Sequence, residues 1–173
     1  MIQVSPRLME ATDYYIDHPV EFVRDILGAE PDPWQAEVLE ALAAGRSVAV
    51  RSGHGVGKTA VAAWAIIWKL ACFRFSRVPA TAPTQHQLFD ILWPEVGRWI
   101  ETSVIRPMFD VTATRVAVRG HEKLWFAVAR SSNQPERLAG HHAEHLLYVV
   151  DEASGIPDST WQVIDGARTT ASA

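Results

Sequence analysis

The sequence predicts an α/β fold with a largely parallel sheet, and three observations carry that prediction. Short β-branched runs alternate with apolar segments of helical periodicity. A glycine-rich turn, Gly53 to Gly57, stands between one such run and the most apolar helical segment of the chain. An apolar run, Leu146 to Val150, ends directly on two acids, Asp151 and Glu152.

The elements come in this order. Leu8, Ala11 and Tyr15, then Val20, Val23, Ile26 and Leu27, recur at helical spacing, so the first thirty residues read as two short helices. Pro19 suits the start of the second and Gly28 its end. Pro31-Asp32-Pro33 breaks the chain, and a helix resumes from Trp34 to Ala44, with Trp34, Val38 and Leu42 on one face and Gly45 as its stop. Ser47 to Arg51 is the first expected strand, Ser52 to Gly57 a loop, and Lys58 to Cys72 a helix. Arg77 to Ala82 is the second strand, ended by Pro83. Thr84 can cap a helix reaching Trp99, which Pro94 should kink or split. Val111 to Val118 and Leu124 to Ala129 alternate and read as a hairpin about Gly120. Ser131 to Gly140 is polar and loop-like, His145 to Val150 is a buried strand, and a short helix spans Asp158 to Ala167. The expected division is a helical lead-in over 1–32 and a core over 33–173.

Totals bound the function. The chain has 173 residues, 48% of them apolar, which suits one domain with a sizeable core. A net charge of −4 argues against a surface that coats itself with nucleic acid, although a few Lys and Arg on one face suffice for local contact. Cys72 is the single cysteine, so no disulfide forms within the chain and a reducing compartment fits. No signal peptide is visible. The longest apolar stretch, Ala60 to Phe75, is broken by Lys69 and Arg74, so no membrane span is expected.

The chemistry concentrates in two places. Ser52-Gly53-His54-Gly55-Val56-Gly57-Lys58-Thr59 matches the phosphate-loop pattern except that Ser52 replaces the first glycine. Glycines let successive N–H groups cradle phosphate oxygens, and the following helix adds its positive end. Lys58 supplies a mobile charge to the phosphates, and Thr59 a hydroxyl ligand for Mg²⁺. The second place is the acidic pair. Acids at the carboxyl end of a buried strand sit in the crevice where such sheets bind ligands. Asp151 should hold Mg²⁺, and Glu152 should act as general base toward the water that attacks the γ-phosphate of ATP.

Weaker marks surround these. Gln35 could read an adenine edge and Trp34 could stack on the base, or both could anchor a helix start. Thr81-Ala82-Pro83-Thr84-Gln85 ends a strand on the same sheet edge as the loop. Phosphoryl transfer also needs a cation for its transition state, for which Arg51, Arg130 and Arg137 are candidates. His141, His142 and His145 lack the glutamate spacing of a zinc peptidase helix and read as structural.

Taken together, Pro33-Trp34-Gln35, the segment from Arg51 to Thr59, Thr81-Ala82-Pro83-Thr84, and Glu136-Arg137-Leu138-Ala139-Gly140 leading into Val149-Val150-Asp151-Glu152-Ala153-Ser154-Gly155-Ile156 resemble the amino-terminal part of phage terminase large subunits. The resemblance runs from about residue 19 to 168. It implies a P-loop NTPase domain of the RecA-like (ASCE) kind, three layers about a mostly parallel sheet. It also implies an ATPase motor that threads double-stranded DNA into a procapsid. The implied partners are double-stranded DNA, a small terminase subunit, a portal protein and further copies in a ring, with no membrane. The implied place is the host cytoplasm and, transiently, the procapsid portal. In the family a coupling strand lies between the phosphate-loop strand and the acidic strand, and a nuclease domain comes after it. This sequence ends at Ala173 before either, so an incomplete core without nuclease is expected. A helicase-type translocase fragment and an inactive prophage remnant are the rival readings.

Overall fold

The computed structural model describes residues 12–51, 53 and 57–170. Leu8 and Ala11 of the first expected helix, and Ser52, His54, Gly55 and Val56 of the loop, lie outside these. Helix α1 (Pro19–Phe22) opens on its proline and widens into a π-helical turn, Val23–Leu27, that ends on Gly28 at φ 71°. Its Val20, Phe22, Val23 and Leu27 enter the same large core as the rest of the chain. Helix α2 (Pro33–Ala43) comes next. Helix α3 (Lys58–Cys72) has the predicted bounds, and its apolar composition on all sides marks a buried helix. Ile66, Ile67 and Leu70 are fully buried, and Trp64 and Trp68 nearly so, each contributing about 2 kcal/mol. The indole N–H of Trp68 donates to the Tyr15 carbonyl at 2.7 Å, and that of Trp125 to the Leu70 carbonyl at 2.8 Å. These bonds tie α3 to the amino-terminal segment and to the sheet.

The sheet has five strands: β1 (Arg77–Thr81), β2 (Phe109–Val111), β3 (Arg115–Val118), β4 (Phe126–Ala129) and β5 (Val149–Val150), in the order β2-β3-β4-β1-β5. β1 is parallel to β4 and β5, while β3 is antiparallel to β2 and β4. All strands but β3 therefore point the same way, and the mostly parallel α/β prediction holds. With α4 (Trp93–Glu101) between β1 and β2, helix α5 (Asp158–Thr170) closes the described chain.

Four expectations change. The helix expected to kink or split at Pro94 is continuous through it but changes its winding just ahead of it. A π-helical segment, His86–Leu92, runs directly into α4. The Trp93 N–H reaches back to the Leu88 carbonyl, so the helix opens just ahead of the proline, whose ring would crowd a tight turn. The cap itself is as predicted, with the Gln87 N–H on Thr84 Oγ1 at 3.1 Å. The single strand expected over Val111 to Val118 is instead two strands, β2 and β3, joined by a tight turn. Thr112 Oγ1 accepts the Arg115 N–H at 3.1 Å, so a threonine side chain turns the strand back on itself.

The strand expected over His145 to Val150 runs along β1 but is regular only at Val149–Val150, with an isolated bridge at Leu146. On that edge the Arg77 N–H donates to the His145 carbonyl, and the Asp151 N–H to the Thr81 carbonyl. Pro79 lies between Arg77 and Thr81 on the same edge and has no N–H to donate, so the ladder is interrupted opposite it. Finally, Ser47 to Arg51 forms no strand and is exposed along its length. Among the described residues no strand lies beside it, and none lies on the outer edge of β5.

Candidate functional site

Gly57 caps α3 in the left-handed conformation, φ 87°, which a residue with a β-carbon adopts at a cost of roughly 1–2 kcal/mol. Lys58 and Thr59 form the first turn of α3 and so stand at its positive end. On the other side, the bond from the Asp151 N–H to the Thr81 carbonyl at 2.9 Å carries the β1–β5 pairing one residue past the strand and sets Asp151 at the sheet edge. Lys58, Thr59, Asp151 and Glu152 line one pocket. Lys58 Nζ lies 3.8 Å from Glu152 Oε1, with the two side chains 24% and 31% exposed.

Glu152 itself sits at φ 49°, a left-handed conformation that costs a non-glycine residue of order 1–3 kcal/mol. The next turn of chain holds it there. This 3₁₀ turn, Ala153–Gly155, presses on Pro83, and a β-carbon on Gly155 would stand 2.7 Å from the Pro83 ring. The glycine of the acidic motif is thus required by close packing against the Thr81-Ala82-Pro83 turn. Burial pushes the Asp151 carboxyl above its ordinary value and the Glu152 charge adds to this, while the Glu152 N–H on its Oδ1 and the Lys58 charge pull the other way.

A cation fits this donor set. Thr59 and Asp151 offer hard oxygens, and a site with one carboxylate leaves positions for phosphate oxygens and water, as Mg²⁺ prefers. A cation beside Asp151 would also offset the burial that raises its pKa.

The other expected residues take varied places. Gln35 is buried, with its side-chain amide donating to the Gly57 carbonyl at 3.0 Å. Trp34 and Arg51 line a different groove, between α2 and the segment 46–51, together with Glu37 and Glu40. Gly53 is exposed, with open space where a β-carbon would stand. Arg137 is exposed at the end of a short 3₁₀ turn, Pro135–Arg137, and does not line the Lys58–Asp151 pocket. His145 packs edge-on against Phe73, and His141 against Phe126.

Sequence reasoning missed the third wall of the pocket, Gln87, Ile91 and Glu95. Their spacing of four along one helix face was the available signal. Glu95 is held by the Trp99 indole at 2.8 Å and by Arg98 at 2.6 Å. A second feature also went unseen. Arg77 and Arg115 lie over the Phe126 ring, their guanidinium carbons 5.6 Å and 3.7 Å from its centre. Burial lowers the Arg115 pKa, and the charges of Arg130 and Arg77 add to this. The three arginines thus share the sheet face opposite the main core, and among the described residues no carboxylate forms a salt bridge with any of them.

The fold defines an α/β protein with a mostly parallel five-stranded sheet. No family model matches the chain. It is, however, 32% identical over 154 residues to a probable terminase large subunit of Enterobacteria phage P7, a match covering 84% of this chain and 31% of that protein. The chain therefore spans about a third of that relative's length. Its fold is similar to the large terminase ATPase domain of Thermus phage P74-26, with a TM-score of 0.61 and 22% identity over 88% of this chain and 65% of that one. An arginine-to-alanine variant of the same domain gives 0.62 and 21% over 89% and 66%. The chain is thus similar in sequence to part of a phage terminase large subunit, and in fold to the ATPase domain of a phage large terminase.

Proposed function

We propose that this chain binds ATP with Mg²⁺ and cleaves it to ADP and phosphate, and that this hydrolysis drives double-stranded DNA into a procapsid. One observation carries the reading: Lys58 and Thr59 at the start of α3 face Asp151 and Glu152 at the end of β5 across a single pocket. Lys58 holds the β- and γ-phosphates by charge. Thr59 and Asp151 would hold Mg²⁺, which would neutralise charge on the phosphate oxygens. Glu152 orients the attacking water and accepts its proton. The pair Lys58–Glu152 must part as phosphate takes the lysine, which frees the carboxylate for that work. Gly53 and Gly57, the described residues of the loop, contribute backbone N–H groups toward the phosphates.

The transition-state cation is supplied by Arg51 or Arg137. Neither is among the described residues that line the Lys58 pocket and both are exposed, so whichever supplies the charge acts from outside it, as a neighbouring copy in a ring would allow. The arginine face of Arg77, Arg115 and Arg130 supports contact with the DNA backbone despite a net charge of −4. The small terminase subunit and the portal protein complete the assembly, which works in the host cytoplasm and at the procapsid portal.

Titration with ATP and a phosphate-release assay test the central claim. Glu152→Gln should keep ATP affinity while lowering turnover at least ~100-fold. Lys58→Ala should weaken ATP binding itself. Equal ATP affinity in the wild-type chain and Lys58→Ala would remove the basis of the reading.

A further inference from the structure

We infer that Gln35 is a positioning residue of the phosphate loop and does not read the nucleotide base. The inference rests on the reading that a polyphosphate binds at Lys58. Gln35 is 4% exposed. Its Oε1 accepts the Asp32 N–H at 2.8 Å, and its Nε2 donates to the Gly57 carbonyl at 3.0 Å. These partners fix which end of the amide is which, because an N–H needs the oxygen and a carbonyl needs the NH₂. Reading a base edge bidentately requires both ends of the amide to face the ligand, and here each is turned to a different stretch of backbone.

What Gln35 holds is the point from which the phosphate site is built. The Gly57 carbonyl accepts the first hydrogen bond of α3, from the Val61 N–H at 3.2 Å, and the Gln35 amide is its second donor. Gly57 lies at φ 87°, and a β-carbon there would stand 2.6 Å from Gln35 Nε2. The glutamine side chain therefore fills the space beside the glycine and clamps its carbonyl. Lys58 and Thr59 come immediately after, so the direction of α3's first turn is set from α2. The same side chain caps α2 at Asp32, which makes one buried amide the joint between two helices.

The test compares Mg-ATP with magnesium tripolyphosphate, which has the phosphates and no base. Calorimetric titration of the full chain, Gln35→Glu and Gln35→Met is done well below each variant's melting midpoint. Gln35→Glu keeps the acceptor for Asp32 and loses the donor to Gly57. Gln35→Met loses both while keeping the shape. The expected result is that both variants weaken ATP and tripolyphosphate by the same factor, roughly 5-fold or more, the worth of about one backbone hydrogen bond. Weakened ATP with unchanged tripolyphosphate would overturn the inference in favour of base reading. Unchanged affinity for both ligands alongside a lowered melting midpoint would overturn it in favour of a purely structural amide. Failure of the wild-type chain to bind either ligand is a separate outcome, which overturns the nucleotide site itself and the clamp with it.

Discussion

Ser47–Arg51 and Arg77–Thr81 are alike in sequence and opposite in fate. Each is a five-residue run with valine at its second position and an arginine at one end, and each leads through a turn into a helix. By composition the first is the better strand, since the second contains Pro79. Yet Arg77–Thr81 is the central strand, with β4 on one side and β5 on the other, and Val78 and Ala80 are fully buried. Ser47–Arg51 has no strand beside it among the described residues, and Val48 and Val50 are 37% and 39% exposed. Strand propensity is realised only where neighbours accept the backbone bonds and cover the side chains. β1 gets both, and it gets them despite a proline because its other edge residues still pair.

The most severe test of that contrast substitutes a charge into each run. Val78→Asp buries a carboxylate without a partner and should cost more than about 3 kcal/mol, enough to unfold much of the chain. Val48→Asp stays in water and should change stability by less than about 0.5 kcal/mol. Chemical denaturation of both variants reads the difference, and comparable losses would show that Ser47–Arg51 is packed as tightly as β1.

The same contrast explains what the sequence did and did not disclose. The start of α3 at Lys58 and the acids Asp151 and Glu152 were legible because their signals are local: glycines before an apolar helix, and acids directly after an apolar run. The largely parallel character of the sheet was legible in the alternation of elements, but the pairing of β1 with β4 and β5 was not. Ser47–Arg51 misled because its propensity was real and its neighbour was not there to be seen. The turn at Thr112 was hidden inside a smooth alternation, where a single hydroxyl decides the reversal. Gln87, Ile91 and Glu95 carried a signal in their spacing of four, but that this face turns toward Lys58 and Asp151 depends on how the π-helical segment is wound, which the spacing does not report.

A milder perturbation acts at the upper end of β1. Gly155→Ala would drive a β-carbon to 2.7 Å from the Pro83 ring, which is too rigid to yield cheaply. The substitution should cost about 1–3 kcal/mol and displace Glu152, three residues earlier. Melting and phosphate-release measurements should therefore fall together. Gly53→Ala, where a β-carbon meets open space, should leave stability unchanged. Equal stability losses at Gly53 and Gly155 would remove the packing argument.

The smallest effect lies at the foot of β1. Ser76 Oγ donates to the Lys69 carbonyl, and the Lys69 ammonium sits 3.6 Å from the centre of the Phe73 ring. Burial lowers the Lys69 pKa to about 8 from an ordinary 10.5. A folded-state pKa below the unfolded one means the folded chain binds fewer protons between those values, so this group's cost is present below pH 8 and is relieved as pH rises toward 10.5. Cys72 opposes it, since burial raises its thiol and the unfolded chain alone ionises there above about pH 8.5. The wild-type profile thus mixes two slopes of opposite sign. Subtracting Lys69→Met from the wild type removes the cysteine's own slope, apart from the charge coupling between the two groups. The variant should be more stable by about 1 kcal/mol at pH 7, once screening of the exposed part of the side chain is discounted, and that advantage should shrink between pH 8 and 10. An advantage that stays constant across this range would mean that methionine packs better on Phe73 for reasons unrelated to charge.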